Sequence, residues 1–223
     1  MMMTGPAATR RELLLAASRE IAERGYSATS FAAVAARIGL TKGAFSYHFP
    51  TKRDLARALA GAFHDALVYA DADARRFFPE GDLRTAIRCL MSLSLQTSRS
   101  PFARAALTLV FDPEPPVEEV GEEFEFWTAM LAEYLRVAEE KHQARLVMPG
   151  DECATYLTVT LLGMSFLSQR DFVQPRVDQL TALRCMLDSI GVVDARAVTD
   201  EALAEPVIYE WPQSDLNRAE ILG

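Results

Sequence analysis

The side chains with the clearest chemistry lie in a short stretch near the N-terminus, where Lys42, Tyr47, His48 and Lys52 follow one another. A lysine can neutralise a phosphate or donate to guanine O6 and N7, and a phenol or a ring N–H can donate to a phosphate oxygen. These side chains therefore suit contact with duplex DNA. Lys42 could reach either a phosphate or a guanine, and the sequence leaves that choice open.

The pattern around these residues predicts a helix-turn-helix. Thr29 or Ser30 would cap a helix that ends near Gly39, and Thr41 would cap a second helix that Pro50 stops. Free N–H groups in the first turn of the second helix favour a phosphate. Gly43, which lies in that turn, would let the backbone approach DNA closely.

A preceding helix over about 8–24, ended by Gly25, completes a three-helix head. Helices this short are not stable alone, so they must share a core. The predicted core consists of Leu14, Ile21, Phe31, Val34, Ile38, Leu40, Phe45 and Phe49.

Each of the residues in this segment, taken alone, could have a purely structural role. Tyr47 and Phe49 could be core aromatics, His48 a cap, and Lys42 a solvated surface lysine. The charge distribution favours DNA contact instead: residues 1–60 hold nine Lys or Arg against four Asp or Glu, whereas the remainder holds fourteen against twenty-seven. A cationic head on an acidic body can replace counterions on DNA even though the net charge is −8.

The rest of the chain shows helical periodicity without sustained alternation, which predicts an all-α protein. The three-helix head at 1–51 would precede a larger helical bundle over 52–194, with a loosely docked polar tail at 195–223. The predicted helices of the bundle cover about 51–76, 83–98, 101–111, 117–145, 151–171 and 175–190. Cys89, Cys153 and Cys185 fall in apolar helical patterns, so we interpret them as reduced core thiols.

Several short motifs follow one another in this part of the chain: Gly25-Tyr26, Thr29-Ser30, Val34-Ala35, Gly39 to Gly43, Tyr47-His48-Phe49 and Lys52-Arg53-Asp54-Leu55. Through these motifs, residues 10–60 resemble the DNA-binding domain of the TetR family of repressors. The resemblance implies an all-helical homodimer that reads a palindromic operator, with a larger domain that holds an inducer and dimerises through the helices at 151–171 and 175–190. It also places Ser30, Thr41, Lys42, Gly43, Tyr47, His48 and Lys52 at positions that usually touch DNA. Ser46 and Ala32 depart from the family pattern and leave the operator sequence open.

The chain is also similar to the γ-butyrolactone receptors, a TetR subgroup that governs antibiotic production. Thr41 to Ala44, Lys52 to Leu59 and the position of Trp127 carry this similarity, whereas Phe45-Ser46 departs from it. The similarity implies an inducer such as a γ-butyrolactone or a furan with an alkyl tail. A regulator that answers a drug or metabolite, and a ligand-independent DNA-binding scaffold, are the alternatives.

If the bundle holds such a ligand, its site should be mostly apolar with a few polar groups. An aromatic wall with one or two donors would suit a lactone or a furan. Threonines in helices usually bond their own backbone, and aromatic residues at helical spacing are usually plain core. The predicted ligand contacts are Gln96, Thr108, Phe124, Trp127, Met130, Tyr156 and Thr160.

Other function classes find little support. The sequence lacks a glycine-rich phosphate loop and the common hydrolase and metalloprotease motifs. We interpret the acidic run from Glu118 to Glu123 as a solvated face rather than a metal site. No catalysis, metal, cofactor or membrane association is expected, and we predict a cytoplasmic protein.

Overall fold

The computed structural model describes residues 6–112, 118–169 and 177–207, with only the backbone given for Ala7. Over these residues the regular structure is helical, and strand pairing is restricted to one isolated bridge between Ala144 and Val192. The predicted all-α fold is confirmed. The described helices are α1 Pro6–Arg24, α2 Phe31–Arg37, α3 Lys42–His48, α4 Lys52–Phe77, α5 Leu83–Arg99, α6 Pro101–Val110, α7 Glu119–Glu140, α8 Gly150–Ser168, α9 Gln179–Ser189 and α10 Ala195–Ala202.

The caps of the first three helices agree with the sequence signals. Gly25 ends α1 with a φ of 87°, a left-handed conformation that favours glycine. Ser30 rather than Thr29 caps α2, and its Oγ accepts from the Ala33 N–H at 3.2 Å. Thr41 caps α3 as predicted, with its Oγ1 accepting from the Ala44 N–H at 3.1 Å.

Contacts among the described residues group into two compact units. The first comprises the described residues through Ala66 and those from Arg99 to Glu123. It extends past the predicted boundary at residue 51, because the first half of α4 and all of α6 share its core. The buried members of this core are Leu13, Leu14, Ala16, Ala17, Ile21, Val34, Ala35, Phe45, Phe49, Leu55, Ala56, Leu59, Ala60, Phe102, Ala105, Leu109 and Val120, and Phe31, Ile38 and Leu40 pack against them half-buried.

The second unit comprises residues 67–98, 124–169 and 177–207. A short backbone pairing holds two of its segments together: the Arg145 N–H donates to the Gly191 carbonyl at 2.8 Å, and Val147 donates to Ile190 at 3.1 Å. This pairing begins soon after α7 ends at Glu140, five residues earlier than predicted. Gly191 makes the turn possible with a φ of 95°.

The predicted tail begins with a helix that the sequence analysis missed. In α10, Ala195, Thr199 and Ala202 are buried. The buried Arg88 guanidinium holds the segment that follows, donating to the carbonyls of Ala202 at 3.2 Å and Glu205 at 2.8 Å. The sequence gives little sign of this helix, because its buried face consists of only three residues with small side chains and the rest of its composition is polar.

The prediction that all three cysteines are buried is wrong for one of them. Cys89 and Cys153 are buried, but Cys185 is exposed on α9 because the helix buries Leu183, Met186 and Leu187 instead. None of the described helices is long and apolar enough to span a membrane. The helix start predicted at 117, the helix end predicted at 171, the helix start predicted at 175, and residues 208–223 lie outside the described residues.

Candidate functional site

Helix α3 has one buried and one exposed side. Phe45 is fully buried, stacked on Phe31 with 4.3 Å between ring centroids, and Phe49 lies 5.5 Å away. Tyr47, between them in sequence, is 79% exposed. Phe49 is therefore a core aromatic, and Tyr47 is not. The opposite side of α3 begins with Thr41, Lys42 and Gly43, all exposed.

The end of α3 adds an imidazole to this surface. His48 is half-buried, and its ring meets the Tyr47 ring edge-on at 5.1 Å. Burial, and then the positive charge of Arg10, lower the pKa of His48 below its ordinary value. Both effects favour the neutral form of the imidazole.

Arg10 is a candidate contact that the sequence analysis missed. Its guanidinium lies over the Phe49 ring at 4.9 Å, which brings a cation of α1 to the end of α3. The only signal for it was its place in the cationic part of the chain, because helix periodicity alone does not show that the start of α1 meets α3.

The two remaining predicted DNA contacts have partners of their own. Ser30 is exposed and caps α2. Lys52 is half-buried, and its Nζ donates to the carbonyls of Tyr26 at 2.8 Å and Ser27 at 3.1 Å. The structure therefore brings Thr41, Lys42, Gly43, Tyr47 and His48 onto one short helix, with Ser30 and Lys52 engaged in local structure.

In the second unit, Trp127 is the most fully buried of the predicted ligand contacts on α7. Only 2% of it is exposed, and its indole N–H has no hydrogen-bond acceptor among the described residues. Phe124 and Met130 are half-buried on the same helix. Gln96 of α5 is also buried, and its amide donates to the Ser92 hydroxyl at 3.1 Å.

The other three predicted ligand contacts lie elsewhere. Thr108 belongs to the first unit, where its hydroxyl donates to its own helix at the Arg104 carbonyl, 2.9 Å away. Tyr156 is exposed, and Thr160 is half-buried. Both line an open groove of about 440 Å³ on α8 with Thr155 and Val159. Positions 155, 156, 159 and 160 share the outer face of α8, so these side chains are not brought together with the buried Trp127.

Three further hydroxyls are buried without a hydrogen-bond partner in the described part of the chain: those of Ser94 on α5 and of Thr158 and Ser165 on α8. A buried hydroxyl without a partner costs about 1–3 kcal/mol, which a bound polar group would offset. The spacing of Thr158 and Ser165, seven residues apart on one helix face, was the available sequence signal.

Comparison with known proteins identifies the head. Residues 13–59 match the family model of bacterial regulatory proteins of the tetR family. The head is therefore similar to the N-terminal domain of that family. A 79-residue segment is 37% identical to the HTH-type transcriptional regulator TtgR of Pseudomonas putida, and this match spans 34% of the present chain and 38% of that relative.

Solved structures extend the similarity of fold beyond the TetR-family domain. A γ-butyrolactone receptor (ArpA-like protein) matches with a TM-score of 0.66 over 89% of this chain and 96% of its own, at 23% identity. A structure described as the molecular basis for control of antibiotic production by bacterial hormones matches with a TM-score of 0.64 at 29% identity, over 82% of this chain and 98% of its own. The TetR-like fold is thus shared across most of the chain.

The acidic run from Glu118 to Glu123 is not simply a solvated face. Glu119 of α7 pairs with Arg57 of α4 at 2.6 Å, and the Glu123 carboxylate lies 2.6 Å from His64 Nδ1. Within the described residues, no group of three or more His, Cys, Asp or Glu side chains could hold a metal ion. Two of these carboxylates therefore serve as contacts inside the first unit.

Proposed function

We propose that the chain is a homodimeric transcriptional repressor that binds a palindromic DNA operator and releases it when a small molecule binds. The observation that carries this proposal is α3, which is held by two buried aromatic rings and exposes its first turn and Tyr47. Tyr47 is 79% exposed on this helix, so its phenol is accessible to donate to a phosphate oxygen.

The DNA contacts divide by chemistry. The first turn of α3, with Lys42 and Gly43, would enter the major groove, where Lys42 reaches either a guanine or a phosphate. Tyr47, His48 and Arg10 would contact the phosphates beside it, because their donors suit phosphate oxygens. Ser30 would add a contact at the start of α2.

Dimerisation would use α8 and α9. Tyr156, Val159 and Leu167 are 37%, 50% and 45% exposed on α8, an apolar set that a second copy would cover. Two heads in one dimer would then meet successive major grooves about 34–36 Å apart. Tyr156 and Thr160 are assigned to this surface rather than to the ligand.

The inducer would bind in the second unit beside Trp127. The indole N–H lacks an acceptor among the described residues, so a ligand would supply one. We place the buried side chains of Thr158 and Gln96 in the same site as further polar contacts. An uncharged lactone or furan with an alkyl tail supplies one acceptor and a large apolar surface, which matches this environment. We place the protein in the cytoplasm, where its operator would be.

Operator binding is tested with a duplex selected by the protein from a random-sequence library. Lys42→Ala and Tyr47→Ala should each weaken binding by about tenfold or more, equivalent to about 1.4 kcal/mol. Arg196→Ala is the matched control, because it removes an 81% exposed cation from the second unit. Unchanged affinity in both α3 variants would refute the proposed interface.

The ligand part is tested by thermal shift and by release of that duplex with a synthetic alkyl γ-butyrolactone and an alkyl furan. Trp127→Phe keeps an aromatic ring but removes the N–H and the second ring of the indole, so it should preserve duplex binding and weaken release. Normal release from Trp127→Phe would contradict the pocket. If neither compound, nor any of a panel of apolar drugs, stabilises the wild type, a ligand-independent scaffold is favoured.

A further inference from the structure

Lys52 makes an internal contact that is unusually complete for a half-buried lysine. Its ammonium donates to the Tyr26 carbonyl at 2.8 Å and to the Ser27 carbonyl at 3.1 Å, and it lies 4.8 Å from the centre of the Tyr26 ring. These three contacts match the three N–H groups of an ammonium. The side chain thereby joins the first residue of α4 to the turn between α1 and α2.

That turn fixes the start of α2. Gly25 takes the left-handed conformation, and Thr29 donates its N–H to the Tyr26 carbonyl at 3.1 Å and its hydroxyl to the Gly25 carbonyl at 2.9 Å. Ser30 follows at once as the cap of α2. The Tyr26 carbonyl therefore accepts from both Thr29 and Lys52, so that the turn and α4 hold the same atom.

A second observation concerns charge. The Asp112 carboxylate affects the pKa of both residues. Burial raises the pKa of Tyr26, and the charge of Asp112 raises it further. Burial lowers the pKa of Lys52, and the charge of Asp112 opposes that effect. A negative charge that acts on the ammonium would also disfavour a phosphate there. A phosphate at Lys52 would thus have to displace two carbonyls and approach a carboxylate.

We infer that Lys52 is a positioning residue for DNA binding, an internal clamp that sets the α1–α2 turn and through it the helix-turn-helix, and not a phosphate contact. The inference rests on the proposed DNA-binding function. It departs from the role that the TetR resemblance implies for this position. Lys42, exposed in the first turn of α3, serves as the reference for a true DNA contact.

The two roles differ in the salt dependence of binding. Each phosphate neutralised by a cation contributes about 0.9 to the slope of log affinity against log salt, so loss of one contact per protomer flattens the slope of a dimer by about 2. Fluorescence anisotropy with the selected operator and with an unrelated duplex, at several salt concentrations, measures this slope. The variants are Lys52→Met and Lys42→Met, with the folded fraction of each obtained from circular dichroism.

We expect Lys52→Met to lose about tenfold or more in operator affinity per folded molecule. Its salt slope should be unchanged, and its affinity for the unrelated duplex should stay within about twofold of wild type. Lys42→Met should instead lower both affinities and, if Lys42 contacts a phosphate, flatten the slope. A slope flattened by about 2 in Lys52→Met, or an unchanged operator affinity, would overturn the inference while leaving the proposed function standing. If wild-type protein binds no duplex in a salt-sensitive way, both fail.

Two more variants keep the test decisive. Tyr26→Leu retains the backbone carbonyl but removes the ring, so the double variant with Lys52→Met should lose less affinity than the product of the two single losses. Lys52→Arg keeps the charge in a geometry that does not fit the clamp, which covers the case in which Lys52→Met does not fold. Full operator affinity in Lys52→Arg, or independent losses in the double variant, would count against the clamp.

Discussion

At the scale of single residues, burial and a cation of α1 both favour the neutral form of one imidazole at the end of α3. His48 is partly desolvated, and the guanidinium of Arg10 adds a positive charge nearby, so both effects lower its pKa. A phosphate placed against His48 would act in the opposite direction, because an anion favours the imidazolium form. Binding of DNA would then take up a proton.

The consequence is a pH dependence with opposite signs for binding and for folding. Operator affinity should rise as pH falls from about 8 to 6, by up to about tenfold for each unit by which the phosphate raises the pKa. The stability of the free protein should fall as the pH drops below about 6.5, the ordinary pKa of histidine, because the unfolded chain then binds the proton more readily than the folded one. Anisotropy and thermal unfolding at each pH measure the two effects.

Histidines outside the interface supply the control for this prediction. His48→Gln should flatten the pH dependence of operator affinity, whereas His142→Asn, at an exposed position of the second unit with a φ of 57°, should not. Asparagine is chosen there because it tolerates the left-handed conformation. An equally steep dependence in His48→Gln would remove His48 from the interface.

Residue types near α3 could be predicted, but long-range partners could not. Thr41 as a cap and Phe45 as core follow from local spacing, which the sequence displays directly. The approach of Arg10 to Phe49 and the pairing of Glu123 with His64 join residues 39 and 59 positions apart. Such contacts depend on how helices pack, and charge patterns alone do not specify that.

At the scale of elements, the backbone pairing around Gly191 fixes the segment after α9 against the segment after α7. Its φ of 95° lies in the region that favours glycine, and a Cβ added there would overlap the carbonyl oxygen of Arg145. That carbonyl belongs to the backbone, so it cannot move aside cheaply. Both strain and overlap therefore oppose any side chain at this position.

Gly191→Ala should lower the free energy of unfolding by about 3 kcal/mol or more, measured by urea denaturation. Gly61→Ala is the control, because Gly61 lies inside α4 with nothing within 4 Å of an added Cβ, and alanine favours a helix. That variant should be more stable than wild type by about 0.5–1 kcal/mol. Equal effects from the two substitutions would contradict the backbone geometry at Gly191.

Most helices could be located from sequence within a few residues because capping residues and prolines mark their ends, as Ser100 and Pro101 do for α6. Two features of the helices were not predicted from the sequence. Helix α7 ends before the predicted 145 because residues 144–147 take part in the backbone pairing, which leaves no periodic signal. Helix α10 escaped because its buried face is small.

At the scale of the whole molecule, the described C-terminal segment is held by a buried charge far away in sequence. Arg88, 1% exposed, stacks on the Phe77 ring at 4.0 Å and pairs with Asp73 at 3.3 Å while donating to carbonyls of residues 202–206. A planar guanidinium can reach all of these partners at once, and an ammonium cannot.

Arg88→Lys should therefore lower the free energy of unfolding by about 1.5–3 kcal/mol, the usual effect of losing hydrogen bonds to a charged group. Glu205→Ala removes a side chain but leaves the carbonyl that Arg88 uses, so it should stay within about 0.5 kcal/mol of wild type. Chemical denaturation of both variants makes the comparison. A fully stable Arg88→Lys protein would show that the segment is held by other contacts.

The unequal burial of the three thiols leaves one natural site at which a reporter dye can be attached. Burial raises the pKa of Cys89 and of Cys153, which suppresses the reactive thiolate, whereas Cys185 is open to solvent on α9. A maleimide fluorophore should accordingly couple once per native chain without any engineered mutation. Because α9 belongs to the proposed dimer surface, shielding of that coupling at rising protein concentration would report the affinity of one copy for another.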